Sequence, residues 1–298
     1  MTPTTFRPLL RLREQLSDAL GLPDFDPGPE RVVEEALAWL GRAQDRSVPC
    51  DGGLARHFSL RTGWSSSYPE TTGYIVPTLL ACAQLRGDEQ LRERARRMLD
   101  WLVSVQLPDG SFPGGPMEVR TDHGVTFNTG QILLGLAAGA REFGDAYREP
   151  MCRAADWLVN TQDADGCWRK FPSPFVSPGE KAYETHVAWG LLEAERVEPG
   201  RGYAEKALAN VRWALTLQRD TGWFDKCCLN DPARPLTHTL GYVLRGVLEA
   251  YRFARDESLL RACRKTADGL LSAILPDGFL PGRLDSEWRG AVKWACLT

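Results

Sequence analysis

The chain has 298 residues, of which 43% are hydrophobic and 25% charged, the usual profile of a folded globular protein. Its formal net charge of −3 provides no basic surface for nucleic acid, and no apolar run approaches the roughly 18 residues that insert across a membrane. Eight cysteines are too few for a disulfide framework at this length, and Met1–Phe6 lack the features of a signal peptide, so we expect a cytoplasmic protein with free thiols.

A helical segment containing tryptophan, and glutamine five residues later, recurs along the chain. The four pairs are Trp39/Gln44, Trp101/Gln106, Trp157/Gln162 and Trp213/Gln218. Their tryptophans are 62, 56 and 56 residues apart, and a fifth, degenerate copy has Ile274 in the glutamine place. Glycine-containing turns follow each copy. Such a fixed period predicts an array of repeated helical hairpins.

Each repeat contains a second helical segment that begins after polar capping residues. These segments begin within residues 70–77, 127–134, 183–190 and 237–244. They are apolar and rich in small residues such as Gly135, Gly190 and Gly246, which allow close helix packing. The companion helices, such as 89–106 and 203–218, are amphipathic and should face solvent.

These features predict an all-α fold, an α/α toroid of five to six helical hairpins with inner and outer rings. The alternative is an open α-solenoid, whose repeats are usually shorter, at about 35–45 residues. The long glycine-rich loops favour the closed ring. If the ring assignment is right, Trp101, Trp157 and Trp213 should pack between helices.

The repeats indicate a single domain over residues 1–298. An irregular first hairpin covers residues 6–44, and repeats of about 56 residues run from residue 70 onward. Residues 294–298 occupy the place where the next inner helix should begin. We therefore expect the last hairpin to be incomplete at the C-terminus.

The segment Arg153–Leu158, with Gln162 and the turn Asp165–Trp168, resembles a QW repeat. That motif belongs to the superfamily of terpenoid cyclases and protein prenyltransferases. Weaker copies are at 106–112 and 218–223. The resemblance implies the toroid from about residue 30 onward, but it does not specify the chemistry.

Two departures separate the chain from that superfamily's reactions. Class II cyclases protonate an alkene with an Asp-x-Asp-Asp motif, whereas residues 163–166 read Asp-Ala-Asp-Gly. Protein prenyltransferases need a partner subunit and a zinc site that this sequence does not match. The general pattern is also similar to six-hairpin toroids that process sugars, namely unsaturated glucuronyl hydrolases, N-acylglucosamine epimerases and polysaccharide lyases.

In such a toroid the inner helices begin around one central funnel. Aligning the repeats places two layers of polar side chains at its mouth. One layer contains Tyr74, Gln131, His186 and Tyr242, and the layer one turn earlier contains Glu70, Asn128, Glu184 and His238. We predict that Glu184, His186, His238 and Glu70 are catalytic and line one cavity. The predicted substrate-binding residues are Tyr74, Asn128, Gln131, Tyr183, Trp189, Tyr242 and Trp168.

Other interpretations of these residues stay open. Glu70 and Glu184 are also suited to the positive ends of their own helices, and His186 to a buried core position. His238 is also suited to a helix cap. Thiolates and imidazole also suit zinc, as in the toroid of lanthionine synthetase cyclases. The candidate ligands are Cys227, Cys228, His238 and Cys296, although no Cys-x-x-Cys is present.

Three functions follow from this pattern. The leading hypothesis is an enzyme that acts on an acidic sugar or oligosaccharide by general acid/base chemistry, as an unsaturated uronide hydrolase, a lyase or an epimerase. The second is an isoprenoid-binding protein similar to terpenoid cyclases or prenyltransferases. The third is a non-catalytic toroid that binds a glycan or a protein. The sequence predicts no cofactor other than the possible zinc, and it does not indicate an oligomeric state.

Overall fold

A computed structural model describes residues 8–21 and 25–296. The segment Met1–Phe6, the first two residues of the predicted hairpin 6–44 and Thr298 lie outside these ranges. The described part contains ten α-helices. They are α1 (Pro8–Leu20), α2 (Pro29–Asp45), α3 (Pro69–Arg86), α4 (Glu89–Val105), α5 (Thr126–Phe143), α6 (Asp145–Thr161), α7 (Thr185–Val197), α8 (Tyr203–Leu215), α9 (Thr237–Ala254) and α10 (Glu257–Ser272). Two short antiparallel strands, β1 (Phe58–Ser59) and β2 (Gly63–Trp64), lie between α2 and α3.

Local sequence signals account for where the helices start and stop. Proline at the first position of α3 has a fixed φ that suits a helix start. Gly87 ends the same helix in the left-handed region, at φ 63°. The carboxylate of Asp88 then caps α4 by accepting hydrogen bonds from the backbone of Gln90 and Leu91.

The helices form two layers. Helices α3, α5, α7 and α9 pack against one another in chain order, and α4, α6, α8 and α10 each pack on the outside of the helix that precedes them. The inner layer is apolar, and residues 131–140 of α5 are all buried. The prediction of an all-α toroid with inner and outer helices is therefore confirmed.

Glycine allows the inner helices to approach closely. A Cβ added at Gly190 in α7 would lie 2.6 Å from the carbonyl oxygen of Gly130 in α5, and one at Gly246 in α9 would collide with the backbone of Thr185. By contrast, a Cβ at Gly241 would meet no atom within 4 Å. One face of α9 therefore has no inner helix against it in the described part of the chain.

The repeated glutamines join successive outer helices. Gln106 donates to the carbonyl oxygens of Gly110 and Pro150 at 2.8 and 2.9 Å, and Gln162 repeats both bonds with Gly166 and Lys206 at 3.1 and 3.0 Å. Gln218 donates to Ala262 at 2.9 Å. The acceptors in α6, α8 and α10 are again 56 residues apart, so the sequence period is the spacing of a structural link.

The tryptophans of the repeat mostly behave as predicted. Trp101 and Trp157 are buried between helices, Trp213 is half-buried, and Trp39 is 45% exposed. From the end of α10 to residue 296, short β-bridges such as Pro281 with Ala295 replace helical structure. None of the described helices is both long and apolar enough to cross a membrane.

Candidate active site

A cavity of about 320 Å³, the mouth cavity, lies where the inner helices begin. It is lined by Arg56, Tyr68, Glu70, Thr71, Phe127, Ser173, Phe175, Val176, Tyr183, Leu229, His238 and Tyr242. Glu70, Tyr183, His238 and Tyr242 belong to the sequence-predicted site, so the structure brings four of its members together. Arg56 and the loop residues Ser173, Phe175 and Val176 also line the cavity but were not part of the predicted site.

Glu70 is the acidic side chain of this cavity. It is the second residue of α3, where it also faces the positive end of the helix. Burial raises its pKa to about 7, although the hydrogen bond from Tyr68 and the charge of Arg56 act in the opposite direction. The Tyr68 hydroxyl donates to Oε2 of Glu70 at 3.0 Å. A carboxyl group in this state can give or take a proton near neutral pH.

Arg56 is held between two aromatic rings on the cavity wall. Its guanidinium carbon lies 5.2 Å from the ring centre of Tyr68 and 4.7 Å from that of Phe175. Among the described residues, none forms an ion pair with it. Sequence reasoning missed Arg56 because it lies in the irregular segment before α3, outside the aligned repeat positions.

Aromatic rings form the rest of the wall. Phe127 lies 5.4 Å from the ring centres of both Tyr183 and Tyr242, and His238 lies 5.5 Å from Tyr242. Burial, followed by the charge of Arg283, lowers the pKa of His238, so its neutral form is favoured. Neutral imidazole can accept a proton or a hydrogen bond from a ligand.

Glu184 does not line the mouth cavity, so the prediction that it shares a cavity with the two histidines is wrong. It belongs to a 3₁₀ turn, residues 182–184, which precedes α7, and it lies in a narrow space of about 10 Å³ beside Trp168 and Lys181. Burial raises its pKa well above the usual range. Oε2 of Glu184 has no hydrogen-bond partner in the described structure.

His186 is also outside the mouth cavity. It lies 4.8 Å from Tyr242 and 5.1 Å from Trp189, measured between ring centres, so the aromatic wall separates it from the cavity. Burial, with a smaller contribution from the charge of Arg245, lowers its pKa to about 3. His186 therefore stays neutral, which fits the buried core position.

The other predicted binding residues are spread over several environments. Tyr74 is half-buried. Burial raises its pKa, and the nearby charge of Glu70 raises it further. Asn128 and Gln131 are fully buried, and Trp168 is buried with its indole N–H donated to Leu158. Trp189 lines a second cavity, away from the mouth.

The four candidate zinc ligands do not come together. No group of three or more His, Cys, Asp or Glu side chains within residues 8–21 and 25–296 is arranged to hold a metal ion. The Cys227 thiol donates to the carbonyl oxygen of Thr239 at 3.1 Å, and Cys228 is buried nearby. His238 and Cys296 instead line an apolar groove along α9.

The raised pKa of Glu70 predicts a pH-dependent cost to stability. Its contribution to the free energy of unfolding is fully present below its ordinary pKa of 4.5 and is lost as the pH rises through about 7. The stability advantage of Glu70→Gln over the native protein should therefore grow by up to about 3 kcal/mol between about pH 4 and pH 8. Urea unfolding of both proteins across this range measures it.

Comparing the two proteins cancels the effect of His186, whose lowered pKa favours stability above about pH 6.5 in both of them. A stability difference between native protein and variant that does not change with pH would show that Glu70 ionises normally.

Comparison with known sequences gives one family. The family model of the squalene-hopene cyclase C-terminal domain matches residues 67–248, more than half of the chain. A probable squalene–hopene cyclase of Sinorhizobium fredii is 25% identical over 157 residues, which cover 48% of this chain and 24% of that relative. The chain thus matches about a quarter of the length of this curated relative.

Comparison with solved structures finds toroids that act on sugars. A cellobiose 2-epimerase from Bacillus thermoamylovorans aligns with a TM-score of 0.66 and 12% identity, over 82% of this chain and 72% of that chain. An unsaturated glucuronyl hydrolase specific for heparin gives 0.66 and 16%, over 83% and 69%. A GH76 α-mannanase from Bacteroides thetaiotaomicron gives 0.59 and 13%, over 81% and 67%. At these identities the likeness concerns the fold.

Proposed function

This chain belongs to the squalene-hopene cyclase C-terminal domain family, and from that scaffold and the residues of its mouth cavity we propose that it is an enzyme acting on an acidic sugar or oligosaccharide. Glu70 exchanges the proton in a general acid/base reaction. The sugar-processing enzymes among the structural neighbours support this substrate class, since they share the arrangement of helical hairpins. The whole chain, residues 1–298, acts as one domain.

The position of Glu70 in the mouth cavity carries the proposal, and its raised pKa supports it. A carboxyl group whose pKa lies near 7 populates both protonation states at neutral pH, and catalysis by proton transfer is most efficient in that condition. The group faces a cavity wide enough for a sugar ring, and the Tyr68 hydroxyl fixes the position of its Oε2 atom at 3.0 Å. A carboxylate that only capped its helix would need no such cavity.

Arg56 supports an acidic substrate. Its guanidinium is unpaired in the described structure and oriented by Tyr68 and Phe175, so it is available for two parallel hydrogen bonds to a carboxylate. The aromatic walls suit the apolar face of a sugar ring. In this arrangement a uronate carboxylate binds Arg56, while the carbon next to it faces Glu70.

Three reactions use a proton transfer by Glu70. In β-elimination, Glu70 takes the proton from the carbon next to the carboxylate, the bond to the leaving oxygen breaks on the neighbouring carbon, and the proton then passes to that oxygen. In hydrolysis of an unsaturated uronide, Glu70 gives a proton to the carbon of the double bond farther from the carboxylate and takes one from the water that adds to the nearer carbon. The hemiketal that results opens and releases the alcohol of the glycosidic bond. In epimerisation, a proton leaves and returns on the other face. Arg56 would stabilise the negative charge that develops on the carboxylate in the first and third reactions.

A second candidate is an isoprenoid ligand, which the rings of Phe127, Tyr183 and Tyr242 favour. The family match supports it as well. The Asp-x-Asp-Asp acid of the class II cyclases has no counterpart among the described residues of this cavity, however. Asp163 and Asp165 both bind Arg169, at 3.0 and 2.7 Å, and neither lines the mouth cavity.

The test is ultraviolet absorbance of the protein mixed with saturated and unsaturated uronate oligosaccharides, with neutral oligosaccharides as the control. We expect absorbance to rise for β-elimination or to fall for hydrolysis of an unsaturated uronide, and only with acidic sugars. Proton NMR in heavy water detects epimerisation as exchange at the carbon. If every uronate is inert and a triterpene or an isoprenoid diphosphate is bound, the second candidate replaces the first. Uronate binding without turnover would leave a non-catalytic glycan-binding toroid.

A further inference from the structure

A second and larger cavity, of about 550 Å³, lies at the other end of the toroid, where the inner helices finish. We call it the arginine cavity. Five arginines and two glutamates line it together with Trp189, Pro77 and Leu134. The charged residues are Arg141, Arg196, Arg245, Arg252, Arg255, Glu193 and Glu249. Positive charge therefore exceeds negative charge by three within this one cavity.

The two glutamates hold the arginines in place without neutralising them. Glu193 pairs with Arg196 and, at 3.0 Å, with Arg141. Glu249, which is only 3% exposed, pairs with Arg245 at 2.9 Å and Arg252 at 3.1 Å. Each carboxylate is shared by two guanidiniums, so every pair of arginines keeps one uncompensated charge.

Some of these arginines have an ordinary structural role. Arg141, Arg196 and Arg252 lie in the last turns of α5, α7 and α9, where a positive charge offsets the negative end of a helix. Arg245 is different, because it lies in the middle of α9. Its guanidinium carbon lies 4.3 Å from the ring centre of Trp189, which fixes its position on the wall.

Arg255 has the most unusual backbone conformation among the five arginines of the cavity. It ends α9 in the left-handed region, at φ 58°, whereas α3 uses Gly87 at φ 63° for the same purpose. Only glycine adopts this conformation without steric cost. Among the described residues no carboxylate pairs with Arg255. The lining of the cavity thus includes an arginine whose backbone conformation favours glycine.

We propose that the arginine cavity binds a multivalent oxyanion of the diphosphate class. Guanidinium groups match the oxygens of phosphate with paired hydrogen bonds, and three excess charges suit an anion that carries more than one. The site is separate from the mouth cavity and does not depend on the reaction proposed there. Trp189 forms part of its wall and also lies 5.1 Å from His186, so this one side chain contacts both the arginine cavity and the buried histidine.

The test is calorimetric titration of the full chain with inorganic pyrophosphate at constant ionic strength. We expect saturable binding that Arg255→Gly weakens by about tenfold or more, since one charge-assisted contact is lost. The same variant should unfold at an equal or higher temperature, because glycine suits the left-handed conformation. Reduced binding by this variant therefore cannot come from misfolding.

Two controls separate this site from general charge attraction. Arg264→Gln removes an exposed arginine of α10 that lines neither cavity, and Arg56→Gln removes the arginine of the mouth cavity. Both should bind pyrophosphate as the native protein does. Absence of binding by the native protein, equal affinity in Arg255→Gly, loss of binding in Arg56→Gln, or equally tight binding of sulfate and chloride would each overturn the proposal.

Discussion

Replacement of Glu70 by glutamine should lower turnover of a uronate substrate by about 10²- to 10⁴-fold, the usual contribution of a positioned acid or base. Glutamine has nearly the same shape, and its amide oxygen can still accept the hydrogen bond that Tyr68 donates to Glu70. The amide cannot exchange a proton, however, so binding should persist while the chemical step slows. Initial rates across substrate concentrations, with KM and kcat separated, measure the effect.

The matched control is Glu184→Gln. Both glutamates lie at the start of an inner helix and both have a raised pKa, but Glu184 faces a space too small for a substrate. Replacement of Glu184 by glutamine should leave turnover within about threefold of the native rate, as expected for a residue outside the active site. If Glu184→Gln is inactive and Glu70→Gln is active, Glu184 is the catalytic glutamate and the mouth cavity is not the active site.

The pH dependence of the rate provides a further check on Glu70. A limb of the profile near pH 7 should belong to its carboxyl group and should vanish in Glu70→Gln. Tyr68→Phe removes a hydrogen bond that favours the ionised carboxylate, so the limb should move to higher pH. A limb that stays in place in both variants would assign the titration to another group.

The toroid could be predicted from the sequence because its period is imposed by repeated contacts. Gln106 and Gln162 each reach the next outer helix through one bond, to the carbonyl oxygens of Pro150 and Lys206, so the glutamine recurs at the interval of the hairpin itself. The turn glycines obey a similar constraint. Gly166 has a φ of 93°, and a Cβ there would lie 2.6 Å from the carbonyl oxygen of Ala209. Neither position tolerates another residue easily, so the pattern is readable without a structure.

The candidate site was predictable only in part. Alignment of the repeats gives the position of a residue along the helix axis, but not the cavity that its side chain lines. Glu70 is the second residue of α3 and lines the mouth cavity. Glu184 precedes α7 in a 3₁₀ turn, whose rotation per residue differs from that of an α-helix, and it lines the narrow space that adjoins the mouth cavity. The position of Arg56 depends on contacts with Tyr68 and with Phe175, which lies in a distant loop. No sequence period or motif links Arg56, Tyr68 and Phe175.

Two glycines of α9 should respond in opposite ways to alanine. Gly246→Ala should lower the free energy of unfolding by about 2 kcal/mol or more, because the added methyl group collides with the backbone of Thr185 across a tight helix interface. Gly241→Ala should raise it by about 0.5 to 1 kcal/mol, because alanine favours the helix and no atom of the described structure lies within 4 Å of the new Cβ. Urea unfolding at one pH measures both.

The opposite signs follow from the position of each glycine in the repeat. Gly241 corresponds to Gly73 and Gly130, where a Cβ would lie 2.5 Å from Ile132 and 2.6 Å from Val187 of the next inner helix. At Gly241 that neighbour is missing from the described residues, and the added methyl group should be tolerated. If Gly241→Ala instead destabilises the protein as Gly246→Ala does, this face of α9 is packed against another part of the protein in solution. Unequal responses would leave this edge of the ring open.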